Sequence, residues 1–306
     1  MTVSERLKII QKASGLTQEK LAAKLGVSFV AFNNWITGKA TPRPKALARI
    51  DALYRSLTGE REVPREALIG KKALVGKAQR AHRSVVREIL SRRDLYDEFL
   101  LALTYHSNRI EGSALTENET AAILFENAAL PNRSLAEQLE VKNHQAALEY
   151  LFREVRSGRG INEGFILQLH RILMNSVDSA AGSYRRHGVR ILGTTVPTAN
   201  YLSVPRLMKA LVRDIRARRR DVISLCAEIH SQFEQIHPFA DGNGRVGRLL
   251  MHAMLLKQNI PPAVIRQEKR RAYLKSLNVA QMDGDHSLLE DFVCDAVLEG
   301  FDILNG

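Results

Sequence analysis

Between His237 and Arg248 the chain reads HPFADGNGRVGR. The residue types in this segment could together handle a polyphosphate. Gly242 and Gly244 let the backbone turn tightly and expose successive N–H groups. Ahead of a helix N-terminus, such a nest attracts anions. Arg245 and Arg248 stand three apart on the first turn of the next helix and share a face. Two guanidinium forks beside an anion nest suit a polyphosphate. Asp241 offers oxygen ligands of the kind Mg²⁺ takes. His237 fits a general base, because imidazole titrates near neutrality. Singly, each piece has a plainer reading: a histidine capping a helix, a turn made by Asp-Gly-Asn-Gly, arginines facing solvent. Their joint occurrence in one short segment is what points to chemistry.

The neighbouring segments show how the site would be held. In 221–236 the apolar residues Val222, Leu225, Cys226, Ile229, Phe233 and Ile236 form one stripe of an amphipathic helix. Pro238 stops that helix near Ile236. An apolar run, LLMHAMLL, continues helically after the arginines to about 257. Helices are predicted over 134–155 and near 162–175, 204–218, 268–280 and 287–303. Segment 188–198, VRILGTTVPTA, reads as extended, a small hairpin. Toward the N-terminus, 3–13, 17–24 and 28–36 read as three short helices and 45–57 as a further one. Thr17 and Ser28 are N-caps, and Leu21, Ala22, Val27, Phe32 and Trp35 supply a small apolar cluster. Residues 58–73 carry charges with Gly59, Pro64 and Gly70, and read as a connector. The expected architecture is all-α: a domain over 1–58, a basic linker or helix over 59–94, and a larger domain over 95–306.

The segment His237–Arg248 resembles the signature of Fic-domain proteins, HPFx[DE]GNGRxxR, at every specified position. The likeness spans roughly 95–303. Gly182-Ser183-Tyr184-Arg185 followed by Val189, Arg190, Ile191, Leu192 and Gly193 looks like the family's target-binding flap. Tyr273 through Gln281 resembles its nucleoside-binding region. The resemblance implies a Fic helical core with a small β-hairpin flap and an adenylyltransferase activity. On that reading ATP is the substrate, with its phosphates on Gly242, Asn243 and Gly244. Asp241 holds Mg²⁺, and Arg245 and Arg248 hold the β- and γ-phosphates. His237 deprotonates a serine, threonine or tyrosine hydroxyl of a target protein, which takes AMP. A branch of the family that transfers phosphate carries lysine where Gly244 stands, so Gly244 favours AMP transfer. Tyr273 and Gln281 are the candidates for the adenine and ribose.

Ser107-Asn-Arg-Ile-Glu111-Gly112 has the spacing [ST]xxxE[GN] and resembles an inhibitory helix, here around 99–112, found in one class of the family. Ser107 and Glu111 are its expected inhibitory residues. The resemblance implies that Glu111 pairs with Arg245 and keeps ATP in an unproductive pose. In some relatives the same glutamate supports removal of AMP, so that direction stays open, as does transfer of another nucleotide.

GLTQEKLAAKLGVSFVAFNNWITGKATPR resembles a helix-turn-helix of the lambda-repressor-like type. Gln18, Ser28, Asn33 and Asn34 are then the candidates for DNA, since amide side chains read adenine bidentately. Phe29 and Ala31 put apolar groups among them, which leaves docking of a protein or of a second copy as the other use. A homodimer would match two DNA half-sites. The charge distribution bears on this. Net charge is +12, of which residues 1–60 carry +6 and residues 61–90 carry +5. A localised positive field favours nucleic acid, and a solvated basic linker explains 61–90 equally well.

Composition excludes little else. No run approaches a membrane span, no leader pattern opens the chain, and Cys226 and Cys294 match no metal or redox spacing. Unpaired thiols point to a cytoplasmic protein. The competing functional class is a DNA-binding transcriptional regulator whose Fic domain is not catalytic. The intact His237, Asp241, Asn243, Arg245 and Arg248 favour the enzyme.

Overall fold

A computed structural model describes residues 2–58, 63–191, 196–217 and 221–306. The chain divides into two compact units, Met1–Pro64 and Arg65–Gly306.

The first unit is built from α1 (Val3–Ser14), α2 (Gln18–Leu25), α3 (Phe29–Ile36) and α4 (Pro44–Thr58). Local chemistry sets the boundaries. Thr2 and Glu5 form a reciprocal capping box on α1. Thr17 and Ser28 accept backbone N–H groups of α2 and α3, from Lys20 and Ala31. Leu7, Ile10, Leu21, Phe32, Trp35, Ile50 and Tyr54 pack into the unit's own core.

In the second unit, α5 (Arg65–Ala81) and α6 (Val85–Ser91) precede α7 (Arg93–Glu111) and α8 (Glu117–Phe125). The start of α5 falls inside the segment expected to be a connector. Pro64 stands just before its first turn, where proline is tolerated. Leu68 and Val75 bury one face. Lys71 pairs with Asp291 and Asp295 at 2.7 Å, and Lys72 with Asp221 and Glu290. Tertiary contacts thus outweigh the glycine and charge content that reads locally as a linker.

The chain continues through α9 (Leu135–Arg156), α10 (Glu163–Leu173), α11 (Val204–Arg216), α12 (Val222–Ile236), α13 (Asn243–Lys257), α14 (Arg270–Asp283) and α15 (Ser287–Asn305). Helix α13 is central: every residue from Arg245 to Leu256 is buried. It packs against α7, α9, α10 and α12. From Leu249 to Leu256 only His252 is polar, so no face of that stretch gains from water. The site's two arginines therefore enter the core on a helix buried along almost its whole length.

No strand is present among the described residues. The two arms of the expected hairpin approach through one bond, Thr198 Oγ1 donating to the Val189 carbonyl at 2.8 Å. Leu192 and Gly193 lie outside the described residues. Among the described residues no helix is long and apolar enough to cross a membrane, and Cys226 and Cys294 are buried free thiols.

Candidate active site

Helix α12 ends where Pro238 forbids its continuation. His237 takes a left-handed conformation there, φ 50° and ψ 62°, which costs a non-glycine residue roughly 1–2 kcal/mol. Its N–H still bonds the Phe233 carbonyl at 2.9 Å. Its Nδ1 lies 3.1 Å from the Glu234 carbonyl oxygen, which can only accept. Nδ1 therefore carries the proton and Nε2 keeps a lone pair. Burial pushes the imidazole below its ordinary pKa, so the ring is neutral and ready to accept a proton at pH 7.

Arg185 holds this strained turn. It is 4% exposed. Its Nε donates to the His237 carbonyl at 2.7 Å and one Nη to Ile236 at 3.3 Å. The other bonds reach the carbonyls of His187 and Ala199, at 2.7 and 2.5 Å, on the two arms of the flap. One buried guanidinium thus ties His237 to both ends of the flap-like segment. The sequence marks it only as part of a flap-like motif.

The nest follows. Gly242 has φ 75°, and a Cβ there would lie 2.7 Å from Met174 Sδ, so only glycine fits. The Asn243 side chain bonds within the loop. Its amide Nδ2 donates to the Phe239 carbonyl at 3.0 Å, and its Oδ1 accepts the Phe239 N–H at 2.9 Å. The side chain laces the loop, leaving the backbone N–H as what Asn243 presents to an anion. Phe239 is fully buried and stacks on His170, ring centres 3.7 Å apart.

His170 is a positioning residue that spacing did not single out, although it sits on the buried stripe of α10 with Ile166, Leu169 and Leu173. Its Nδ1 accepts the Gly182 N–H at 2.8 Å, and its Nε2–H donates to the Asp241 carbonyl at 3.1 Å. Burial lowers its pKa to about 4, so the ring is neutral, and these two partners set its tautomer. Asp241 itself points outward, its side chain 70% exposed, with Oδ1 accepting the Gly242 N–H at 2.6 Å.

Both arginines are buried and both are held by carboxylates. Arg248 donates from Nε to Ser107 Oγ at 2.9 Å, and from Nη2 to the Ser107 carbonyl at 3.1 Å and Glu111 Oε1 at 2.7 Å. Arg245 instead donates to Glu140 Oε1 at 2.7 Å and approaches Asp241 Oδ2 at 3.8 Å. The expected Glu111–Arg245 pair is thus corrected to Glu111–Arg248. Helix α7 meets α13 on the side of Arg248, whereas Arg245 faces α9. A Cβ on Gly244 would collide with Glu111 Oε1. The carboxylate therefore lies directly on the first turn of α13, where the helix dipole favours negative charge. Burial pushes the Glu111 carboxyl up, but Arg248 and Arg245 outweigh this and hold it below its ordinary range, as a carboxylate.

Beneath Arg248 lies a second carboxyl, Glu234, 6% exposed and with its Oε1 lacking a hydrogen-bond partner. Burial, helped by the charge on Glu111, raises its pKa to about 8. It is a neutral acid at pH 7 and leaves Arg248 to Glu111.

Tyr273 and Gln281, the candidates for adenine and ribose, both make contacts within the protein. Tyr273 is 1% exposed, with its hydroxyl 2.6 Å from His230 Nε2. Gln281 donates to the Ser231 carbonyl at 3.2 Å. Both tie α14 to α12 in this structure. Of the flap residues, Arg190 is exposed and Val189 and Ile191 are half-buried.

In the first unit, the Ser28 hydroxyl caps α3, Asn33 is exposed, and Gln18 and Asn34 are half-buried. Beside Asn33, Phe29 and Val30 are 44% and 67% exposed.

Among the described residues no three histidine, cysteine or carboxylate side chains converge on one point. A single exposed carboxylate, Asp241, at the mouth of an anion nest nevertheless suits Mg²⁺. That ion takes one or two carboxylates and draws its remaining ligands from water and phosphate.

Residues 160–255 match the Fic/DOC family, and residues 3–68 match a helix-turn-helix domain. Over 203 residues the chain is 30% identical to protein adenylyltransferase Fic of Drosophila yakuba, which covers 65% of this chain and 40% of that protein. The Drosophila erecta protein of the same name is 31% identical over the same length. The chain thus spans less than half of the curated relatives it matches. A Fic family protein from Desulfovibrio desulfuricans superimposes with a TM-score of 0.66 at 25% identity, over 79% of this chain and 74% of that one. Fic-1 from Caenorhabditis elegans superimposes with a TM-score of 0.70 at 22% identity, over 98% of this chain and 91% of that one, a likeness of fold. The chain carries a Fic domain, and a helix-turn-helix domain precedes it.

Proposed function

We propose that this chain is an autoinhibited protein adenylyltransferase of the cytoplasm, transferring AMP from ATP–Mg²⁺ to a hydroxyl side chain of a target protein. The observation that carries the reading is the Glu111 carboxylate lying on the Gly244 turn and bonded to Arg248 at 2.7 Å. A carboxylate there stands where a phosphate would, on N–H groups and a guanidinium suited to one.

In the active state Glu111 withdraws and the phosphates take the nest at Gly242–Gly244. His237 Nε2 accepts the proton of the acceptor hydroxyl, whose oxygen bonds to the α-phosphorus. The bond from that phosphorus to the bridging oxygen of pyrophosphate breaks, and pyrophosphate leaves. Arg248 and Arg245 stabilise the charge that builds on the leaving group. Mg²⁺ held by Asp241 would offset the charge of the phosphate oxygens. The flap, tied to His237 through Arg185, would align the acceptor segment.

Labelled ATP tests the reaction class. Label at the α-phosphorus should enter protein in a Glu111→Gly variant, and label at the γ-phosphorus should not. Entry of γ label would replace the proposal with a kinase.

A second use of the same site has one observation in its favour. An ionised carboxylate beside the nest could activate water, which would remove AMP from a modified protein. For the first unit we infer a DNA- or protein-docking role, supported by exposed Asn33, Phe29 and Val30 on one helix of a basic unit.

A further inference from the structure

A cleft of about 620 Å³ opens beside the flap. Gly182, Tyr184 and Arg186 form one wall, and Tyr201, Leu202 and Pro205 the other. Leu202 is 73% exposed and Tyr201 37%, so two large apolar groups face solvent at its edge. No carboxylate lines the cleft. The nearby Glu163 is engaged by the Tyr184 hydroxyl at 3.1 Å. Arg186 is exposed and forms no ion pair among the described residues. An apolar wall with an unpaired cation is complementary to an apolar side chain next to a carboxylate.

The cleft is joined to the reaction centre by its own lining. The Tyr184 ring packs on Phe239 of the signature segment, centres 5.8 Å apart. Arg185, which also lines the cleft, donates to the His237 carbonyl at 2.7 Å.

We propose that this cleft docks an extended segment of the protein acceptor that carries an apolar residue beside an aspartate or glutamate, and so selects which hydroxyl reaches His237. This rests on the reading of the chain as a protein-modifying transferase. Leu202 and Tyr201 supply the contact area, and Arg186 at the rim sets the preferred charge.

The test is direct binding without nucleotide. Fluorescent peptides on a glycine–serine frame would carry Glu-Leu, Lys-Leu or Glu-Ser, and anisotropy would report their affinity for the full chain. Glu-Leu should bind best. Leu202→Ser should weaken it about tenfold, the loss expected from one apolar anchor. Arg186→Glu should reverse the order of Glu-Leu and Lys-Leu. Equal binding of all the peptides to the native chain, or an unchanged order in Arg186→Glu, would overturn the proposal. So would a self-association, seen by sedimentation, that Leu202→Ser abolishes without any peptide binding, because the occupant would then be a second copy. Peptide discrimination without AMP transfer would sink the transferase reading alone; transfer without discrimination would sink the cleft alone.

Discussion

Glu111 Oε1 and Arg248 Nη2 are 2.7 Å apart, and the same oxygen lies so close to Gly244 that no side chain fits there. The carboxylate therefore meets the second arginine of the signature, Arg248. The first one, Arg245, is independently held by Glu140 on α9. Each guanidinium that a nucleotide would need has a carboxylate partner from a different helix.

Glu140 should matter for folding as well as for the site. Arg245 is 3% exposed at its side chain, its Nη1 donates to Glu140, and its Nε has no hydrogen-bond partner. Removing Glu140 takes away the hydrogen-bonded carboxylate of a buried charge and leaves only the longer approach to Asp241 at 3.8 Å. Glu140→Ala should cost about 3 kcal/mol in urea unfolding, the low end for breaking a buried pair. A loss below about 0.5 kcal/mol would place the pair among surface contacts that contribute little.

The acid limb of catalysis should lie below the ordinary histidine range. Burial depresses His237, and the Glu111 charge partly opposes this. In Glu111→Gly the opposition is gone. The kcat/KM profile of that variant should lose activity only below about pH 6.5, the unperturbed histidine value. A midpoint above that value would mean that the base is not a buried, neutral His237.

Stability should fall with rising pH through Glu234. Its folded pKa of about 8 lies above the ordinary value of 4.5, so between these values the folded state binds more protons than the unfolded one. Stability contributed by the protonated acid is complete below pH 4.5 and is lost as pH rises toward 8. Glu234→Gln keeps the shape and cannot ionise. Its Tm relative to the native chain should rise between pH 5 and pH 8; a constant difference would contradict a protonated Glu234.

Which of these features the sequence exposes follows from how local they are. Helix caps at Thr17 and Ser28 and the stop at Pro238 depend on neighbours in the chain, and the structure has each where local chemistry puts it. So does the signature itself, whose nest, base and arginines lie within one loop and the first turn of α13. Its supports come from far away: Arg185 reaches His237 across 52 residues, His170 reaches Asp241 across 71, and Glu140 reaches Arg245 across 105. The choice of Arg248 over Arg245 by Glu111 is of the same kind. The two arginines are equivalent by spacing, and only the packing of α7 and α9 around α13 separates them. Tyr273 shows the converse: a motif-like tyrosine whose hydroxyl the core uses.

The central claim is that Glu111 holds the site shut through Arg248, and one rate comparison tests it most directly. Incorporation of α-labelled AMP into lysate protein should be measured for the native chain, Glu111→Gly, and Glu111→Gly with His237→Ala. The account predicts at least about tenfold faster labelling in Glu111→Gly, the effect of removing roughly 1.4 kcal/mol of inhibition, and none in the double variant. Equal labelling by the native chain and Glu111→Gly would contradict it.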